Sequence, residues 1–175
     1  MFKTLLVLTL LFLLTLTACK NKLTQFYVDY DSKATIPSSV PVSSPFSIWT
    51  PEQETNSSFE FESNDTRSDK IQEILLKDLV ITIIAPDNRD FSFLKEVDIY
   101  IDAENLPQQK LAFKHDIPTS IGREIICETI DFDFQEYIKE ETFVVRLRTV
   151  KRELITEDVE INIYTNFLVD AKLIN

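Results

Sequence analysis

The chain has 175 residues, 44% of them hydrophobic, and a formal net charge of −11 at pH 7. That length is typical of one domain with a substantial core, and the acidic balance argues against nucleic-acid binding. A single glycine, Gly122, excludes phosphate-binding loops, dinucleotide-binding turns and nucleophile elbows, because each needs glycine where the backbone approaches a ligand. A single histidine, His115, excludes two-histidine metal sites and leaves little room for a hydrolytic triad.

The first nineteen residues have the pattern of an export signal. Lys3 provides a positive start, residues 4–17 form an uncharged and mostly apolar run, and the small residue Ala18 precedes Cys19. A basic start, an apolar run of this length and a small residue before the cleavage site are typical of a secretory leader. The alternative, a buried core helix that ends in cysteine, is disfavoured by the position of the run directly after Met-Phe-Lys.

The end of this leader, Leu16-Thr17-Ala18-Cys19, resembles the lipobox at which bacterial lipoproteins are cleaved. The resemblance implies a signal peptide over residues 1–18, a lipidated N-terminus and tether over residues 19–23, and a place in the outer membrane of the cell envelope. A stable bilayer anchor needs more than one acyl chain, since each buried CH₂ contributes about 0.8 kcal/mol. The multiply acylated cysteine of such lipoproteins meets that requirement, so Cys19 is the predicted lipidation site.

Lipidation of Cys19 would leave Cys127 as the other cysteine, and the domain would then fold without an internal disulfide. Cys127 lies in a strand-like run, with Glu124 and Glu128 nearby. A reactive thiolate needs an electropositive surrounding and a nearby base. The acidic neighbours therefore predict a buried, inert thiol.

Period-two alternation of apolar residues, typical of half-buried strands, recurs along the rest of the chain. The longest example keeps its phase from Val159 to Ala171, where a one-residue slip would expose every apolar side chain. The stretch at 76–84 is apolar on both faces, which predicts a central strand. The predicted strands cover residues 24–31, 56–62, 76–84, 97–103, 110–113, 124–129, 143–148 and 159–171.

Two segments have helical spacing. Within residues 68–75, Ile71 and Leu75 lie four apart, which predicts one or two helical turns before a strand. Asp133 and Glu136 have capping-box spacing, which predicts a short helix. The chain is therefore expected to form an all-β, immunoglobulin-like antiparallel β-sandwich of seven or eight strands with two short helical inserts, in a single domain over residues 24–175.

A second resemblance covers most of this domain. The run from Leu79 to Ile101, followed by Leu106-Pro107 and Tyr137-Ile138-Lys139, is similar to uncharacterised β-sandwich lipoproteins of Bacteroidetes-type bacteria. It implies an envelope location and a sandwich fold, and it brings no catalytic residues.

A proline-rich stretch at 35–51 contains the candidate binding residues Phe46, Ile48 and Trp49. Its prolines predict an extended edge segment or a belt across the domain. Trp49 is compatible with a stacking platform for a sugar, but a lone tryptophan among Phe and Ile more often plugs the end of a sandwich. We therefore expect this segment to be mainly buried.

Other polar groups are better explained by structure than by chemistry. Asp131, Asp133 and Glu136 are compatible with calcium, but a calcium loop needs more oxygen ligands and a glycine, so helix capping is favoured. A turn explains the acids at 87–90. His115 and Asp116 are adjacent, and adjacent residues in extended chain point apart, so they form no dyad. No metal or cofactor is predicted.

The chain has one concentrated basic cluster, formed by Arg146, Arg148, Lys151 and Arg152. Arg146 and Arg148 would share a strand face, where they either grip an acidic partner or pair with neighbouring acids. Pairing with neighbouring acids is the favoured interpretation, since surface charge pairs need no function.

These observations predict a lipid-anchored cell-envelope binding or accessory module without catalytic activity. Its expected partners are the membrane, through the N-terminal lipid, and an envelope protein or glycan. One alternative is a hydrolase that acts on envelope or dietary glycans through two carboxylates, although no pair stands out among 29 acids. Another is a structural subunit of an envelope complex.

Overall fold

The computed structural model describes residues 25–172, which form an antiparallel β-sandwich around one hydrophobic core. The predicted leader, tether and lipidation site at Cys19 lie outside the described residues. The strands are β1 (Gln25–Ile36), β2 (Pro45–Trp49), β3 (Gln53–Glu54), β4 (Ile71–Ala85), β5 (Leu94–Ala103), β6 (Gln109–Lys114), β7 (Glu124–Ile126), β8 (Glu128–Thr129), β9 (Thr142–Lys151) and β10 (Val159–Ala171).

The helices are α1 (Ser57–Ser63) and α2 (Gln135–Ile138), with 3₁₀ turns at Ser68–Lys70 and Phe91–Phe93. The predicted all-β sandwich with short helical inserts is confirmed. Seven or eight strands were expected and ten are present, of which β3 and β8 have two residues each and the other eight are longer. None of the helices within residues 25–172 is long and apolar enough to cross a membrane.

The first sheet has the strand order β1-β10-β4-β7. The predicted phase of β10 is confirmed, since every second residue from Val159 to Ala171 is buried. β1 pairs with β10 along its whole length and extends beyond the predicted end at residue 31. Ser32, Ala34 and Ile36 are the buried residues of the added part, and the small side chains of Ser32 and Ala34 keep the inward phase without a large apolar group before Ile36.

The second sheet has the order β2-β9-β5-β6-β8, and β3 also pairs with β9. β2 and β3 follow one another along the same edge of β9, opposite residues 146–150 and 142–143. The proline-rich segment is thus edge chain, as expected. Proline lacks the N–H that an inner strand must donate, and Pro45 begins β2.

The predicted strand at 124–129 is two strands in different sheets. β7 pairs with β4 in the first sheet, and β8 pairs with β6 in the second. The buried Cys127 lies at the crossing, where its N–H donates to the Leu79 carbonyl over 3.0 Å. Burial alternates almost without interruption through the segment, so the local pattern contains no sign that the chain changes partners.

Two other expectations for local structure were wrong. Residues 56–62 were predicted as a strand but include most of α1, which buries Phe61 and leaves Phe59 69% exposed. The helical turns predicted over 68–75 shrink to the 3₁₀ turn, because Ile71–Leu75 pair with the end of β10. Strand pairing with a distant part of the chain outweighs a weak local preference. The helix expected near residue 136 is confirmed as α2.

The core joins the two sheets through aromatic rings. The Tyr30 ring of β1 packs edge-on against Phe143 of β9 and Phe167 of β10, at centroid distances of 5.1 and 6.1 Å. Its hydroxyl donates to the Thr55 carbonyl over 3.1 Å, which holds the chain after β3 against β1. Burial raises the pKa of Tyr30, so this hydroxyl keeps its proton.

Candidate binding site

The three candidate binding residues of β2 have different surroundings. Ile48 is buried opposite Leu147, Phe46 is half-buried against the core, and Trp49 is 57% exposed opposite Arg146. The expectation that Trp49 plugs the sandwich is therefore wrong. Neighbouring residues of a strand point to opposite faces, so Ile48 and Trp49 cannot both enter the core.

A groove of about 640 Å³ lies where β2 meets the end of β1. Ile48 and Trp49 line it and Phe46 does not. The remaining wall combines apolar, polar and charged groups from four strands and the chain after β2: Lys33, Ala34, Thr35, Ser47, Pro51, Ile84, Glu160 and Ile161. The groove lining therefore combines apolar residues with one cation, Lys33, and one anion, Glu160, and is suited to an amphipathic group.

Trp49 also begins a row of side chains across the outer face of the second sheet. Strand register places Trp49 opposite Arg146, Arg146 opposite Tyr100, and Tyr100 opposite Lys110. The Arg146 guanidinium lies over the Tyr100 ring, with Cζ 4.7 Å from its centroid, and the Lys110 ammonium is 5.5 Å from the same centroid. Such contacts are favourable because the ring face is electron-rich. Together with Arg148, we call these residues the cationic face.

The two arginines of this face have no acidic partner within residues 25–172. Arg148 is exposed, and Nε of Arg146 is buried without a hydrogen-bond partner. The expectation that they pair with neighbouring acids is wrong, because the carboxylate opposite Arg148 is bound by other side chains. Asp98 stands opposite Arg148 but accepts from Nζ of Lys110 at 2.8 Å and lies 3.1 Å from Nε2 of His115.

Asp98 stays ionised in this arrangement. Partial burial alone would raise its pKa, but hydrogen bonds from Lys110 and His115, together with their charges, outweigh burial and bring the pKa below its usual value. The same contact raises the pKa of Lys110. His115 therefore contacts Asp98 and not its chain neighbour Asp116, in agreement with the expectation that the adjacent pair forms no dyad.

The other half of the predicted basic cluster is structural. Lys151 is buried and donates to the carbonyl oxygens of Pro37 and Ser38 over 3.4 and 3.1 Å. Arg152 donates to the carbonyl oxygens of Leu94 and Ile117. Two of the four cations thus tie loops to the sandwich, whereas Arg146 and Arg148 lie on the outer face of the second sheet.

Asp133, one of the acids considered for calcium, acts as a backbone acceptor. Oδ1 of Asp133 accepts from the N–H of Ile74 at 2.9 Å and of Gln135 at 3.0 Å, which joins the start of α2 to β4. Oδ1 of Asp90 likewise accepts from the N–H of Ser92 at 3.0 Å. Among residues 25–172, no group of three His, Cys, Asp or Glu side chains is placed to hold a metal ion.

Two further candidates concern catalysis. Burial raises the pKa of the Cys127 thiol to about 12, so the thiol is protonated at neutral pH. Glu104, Glu140 and Glu141 line a cavity of about 360 Å³ at one end of β9. Sequence reasoning did not single out these glutamates, because they come from two separate loops.

Sequence reasoning also missed Tyr100, Lys110 and Asp98. Tyr100 and Asp98 occupy outward positions of the strand predicted at 97–103. An aromatic residue among outward charged residues was the sequence feature that could have marked Tyr100 as a surface contact. Their meeting with Trp49 and Arg146 depends on the register of β5 and β9, which the sequence pattern does not specify.

No protein-family model and no curated protein matches the chain. One solved structure, of the empty head of turnip yellow mosaic virus, is similar to it with a TM-score of 0.29 and 11% identity, over 86% of this chain and 83% of that chain. A TM-score of this size carries no argument about function.

Proposed function

We propose that this protein is a lipid-anchored binding or accessory module of the cell envelope, without catalytic activity, and that it binds through the surface around Trp49. The observation that carries the proposal is the exposure of Trp49 on an edge strand, beside the groove and next to an arginine without an acidic partner. Exposed aromatic residues on a rigid scaffold are typical of recognition surfaces.

The position of this surface suits an anchored binder. Residues 20–24 separate Cys19 from β1, and a chain of that length spans at most about 20 Å. The groove begins near Lys33, which is eight residues along β1 from Gln25 and so about 27 Å further on. A lipid at Cys19 would hold the first residue of β1 near the bilayer and the Trp49 surface at the far end of the strand.

The proposed lack of catalytic activity is supported by the surroundings of Cys127 and His115, the residues that a nucleophilic reaction would use. The Cys127 thiol is buried and protonated, and His115 is bound to a carboxylate that also holds Lys110. A nucleophile needs an adjacent base that can take its proton. Release of reducing ends from any glycan that binds would contradict this part and would direct attention to Glu140 and Glu141.

The anchor is tested by metabolic labelling with palmitate. The label should enter the wild-type protein and be absent from Cys19→Ser, which should appear soluble or unprocessed. Cys127→Ser is the matched control and should keep the label. A Cys19→Ser protein that remains membrane-attached would overturn the lipid anchor.

The binding surface is tested by acrylamide quenching, which is specific because Trp49 is the single tryptophan of the chain. Strong quenching is expected in the free protein, and a fraction of envelope material that binds should reduce it. Digesting that fraction with protease or oxidising its glycans with periodate identifies the class of partner. A Trp49 that is not quenched in the free protein would contradict the exposed surface itself.

A further inference from the structure

We propose that the cationic face binds a carboxylated glycan, with a uronic acid ring stacked on Trp49 and its carboxylate held by Arg146 and Arg148. This inference rests on the proposed function, because it names the ligand class of the same surface. The site joins a flat aromatic group to two arginines that form no ion pair among residues 25–172.

The cationic face keeps two positive charges outside its internal ion pairs. Lys110 is engaged by Asp98, so its charge is compensated within the sheet. Arg146 and Arg148 form no ion pair with an acid in the described part of the chain, and Asp98 opposite Arg148 is bound to Lys110 and His115. Two guanidinium groups without ion pairs, on a protein with a net charge of −11, are complementary to an anion. The planar donor fork of arginine matches a carboxylate in particular.

The spacing of Trp49, Arg146 and Arg148 fits one sugar ring and its carboxylate. Arg146 and Arg148 share one face of β9, about 7 Å apart along the strand, and Trp49 is the direct cross-strand neighbour of Arg146. The Arg146 guanidinium is already held over Tyr100, with Cζ 4.7 Å from the ring centroid. A sugar ring placed over the indole would therefore bring a carboxylate on its edge within reach of a pre-positioned donor.

The prolines around β2 disfavour a peptide as the occupant of this surface. A peptide that binds at a sheet edge adds a strand through backbone hydrogen bonds. Pro45 begins β2 and Pro51 follows it, and each lacks an N–H at the edge where a new strand would pair. Binding by side chains over the sheet face is compatible with these prolines, and ring stacking with a salt-bridged carboxylate requires no edge pairing.

The flanking acids restrict how the ligand can lie. Glu96 and Asp102 are the outward residues of β5 that come before Asp98 and after Tyr100. Asp102 accepts from Nε2 of Gln108 at 2.6 Å. A carboxylate that moves along β5 in either direction would approach one of these acids. The position between Arg146 and Arg148 is therefore the favourable one for the carboxylate of the bound sugar.

The test measures binding to the full chain, purified in detergent, by calorimetry and by Trp49 emission. The probes are polygalacturonate and alginate, with fully methyl-esterified polygalacturonate as the neutral match, dextran sulfate as an anionic glycan without carboxylates, and polyglutamate as an acidic peptide. Polygalacturonate or alginate should bind and protect Trp49 from acrylamide, and the methyl ester should bind about tenfold more weakly or not at all.

The variants separate charge from geometry. Arg146→Ala and Arg148→Ala should each weaken uronate binding about tenfold, whereas Arg146→Lys, which keeps the charge without the fork, should fall between Arg146→Ala and wild type. Lys77→Ala removes an exposed cation of β4 and should leave binding unchanged. Unchanged circular dichroism confirms that each variant is folded.

Each result decides the inference. Equal binding of the methyl ester, lost in Trp49→Ala, would overturn the carboxylate requirement but leave the Trp49 surface as a glycan site. Preferred binding of polyglutamate or dextran sulfate would replace the uronate with that class. If none of the probes binds while envelope material still protects Trp49, the ligand class is wrong and the proposed function survives. If neither protects Trp49, both fail.

Discussion

Replacing Asp133 by alanine should destabilise the domain because one carboxylate oxygen serves two backbone donors. Oδ1 accepts from the N–H of Ile74 in β4 and from the N–H of Gln135 at the start of α2. Hydrogen bonds to a charged acceptor contribute about 1.5–3 kcal/mol each. Because the two bonds share one oxygen on a half-buried side chain, we expect the free energy of unfolding to fall by about 2–4 kcal/mol.

Urea denaturation followed by circular dichroism measures this change. The midpoint should fall with little change in slope, and in a thermal melt the same loss corresponds to roughly 5–15 °C for a domain of this size. Asp133→Asn is the matched variant, since its amide oxygen can still accept from both N–H groups, and it should cost about 1 kcal/mol. Asp131→Ala changes an exposed acid and should be within about 0.5 kcal/mol of wild type.

Equal stability of Asp133→Ala and Asp131→Ala would refute the assignment of Asp133 as a backbone acceptor. The calcium hypothesis makes the opposite prediction, in which added calcium raises the melting temperature of the wild type and removal of either acid abolishes the gain. A calcium-dependent shift of that kind would show that the two N–H contacts are not the main role of Asp133.

Three further outcomes follow from burial and charge. Ile161→Asp should unfold the domain, because an unpaired buried charge costs several kcal/mol, whereas Asn162→Lys on the opposite face of β10 should have a small effect on stability. Circular dichroism distinguishes the two variants, and a folded Ile161→Asp protein would contradict the inward phase of β10. Burial lowers the pKa of Lys151 in the folded protein. At pH values between this lowered pKa and the pKa of the unfolded chain, Lys151 is protonated in the unfolded chain but deprotonated in the folded protein. Wild-type stability should therefore rise with pH through this window relative to Lys151→Met, and urea midpoints of both proteins at pH 7 and pH 10 should show it; parallel curves would refute the burial of the charge. Cys127 should react with a thiol reagent only after unfolding, since its pKa is raised to about 12, and rapid labelling of the native protein would contradict this.

The candidate site was predictable only in part. The proline-rich composition correctly predicted an edge segment, and Phe46, Ile48 and Trp49 were its apolar candidates. Which of the three faces solvent depends on strand phase, and a five-residue strand flanked by prolines offers too little alternation to determine it. The burial of Ile48 against Leu147 determines it in the structure, and Trp49 is exposed as a consequence.

The sequence by itself determined the features that depend on neighbours along the chain. The inward phase of β5 and β10, the short helix α2 and the buried Cys127 all follow from alternation or spacing within a few residues. These are local properties, because the side-chain period of a strand or helix is set by the backbone alone.

The tertiary structure decided everything that depends on pairing between distant segments. The change of sheet at Cys127 and the meeting of Trp49, Arg146 and Tyr100 each depend on register between strands far apart in sequence. An alternating strand can pair with any other alternating strand in several registers that bury the same residues, so its pattern identifies the buried face without identifying the neighbour. The cationic face exists because β9 lies between β2 and β5 in one of these registers.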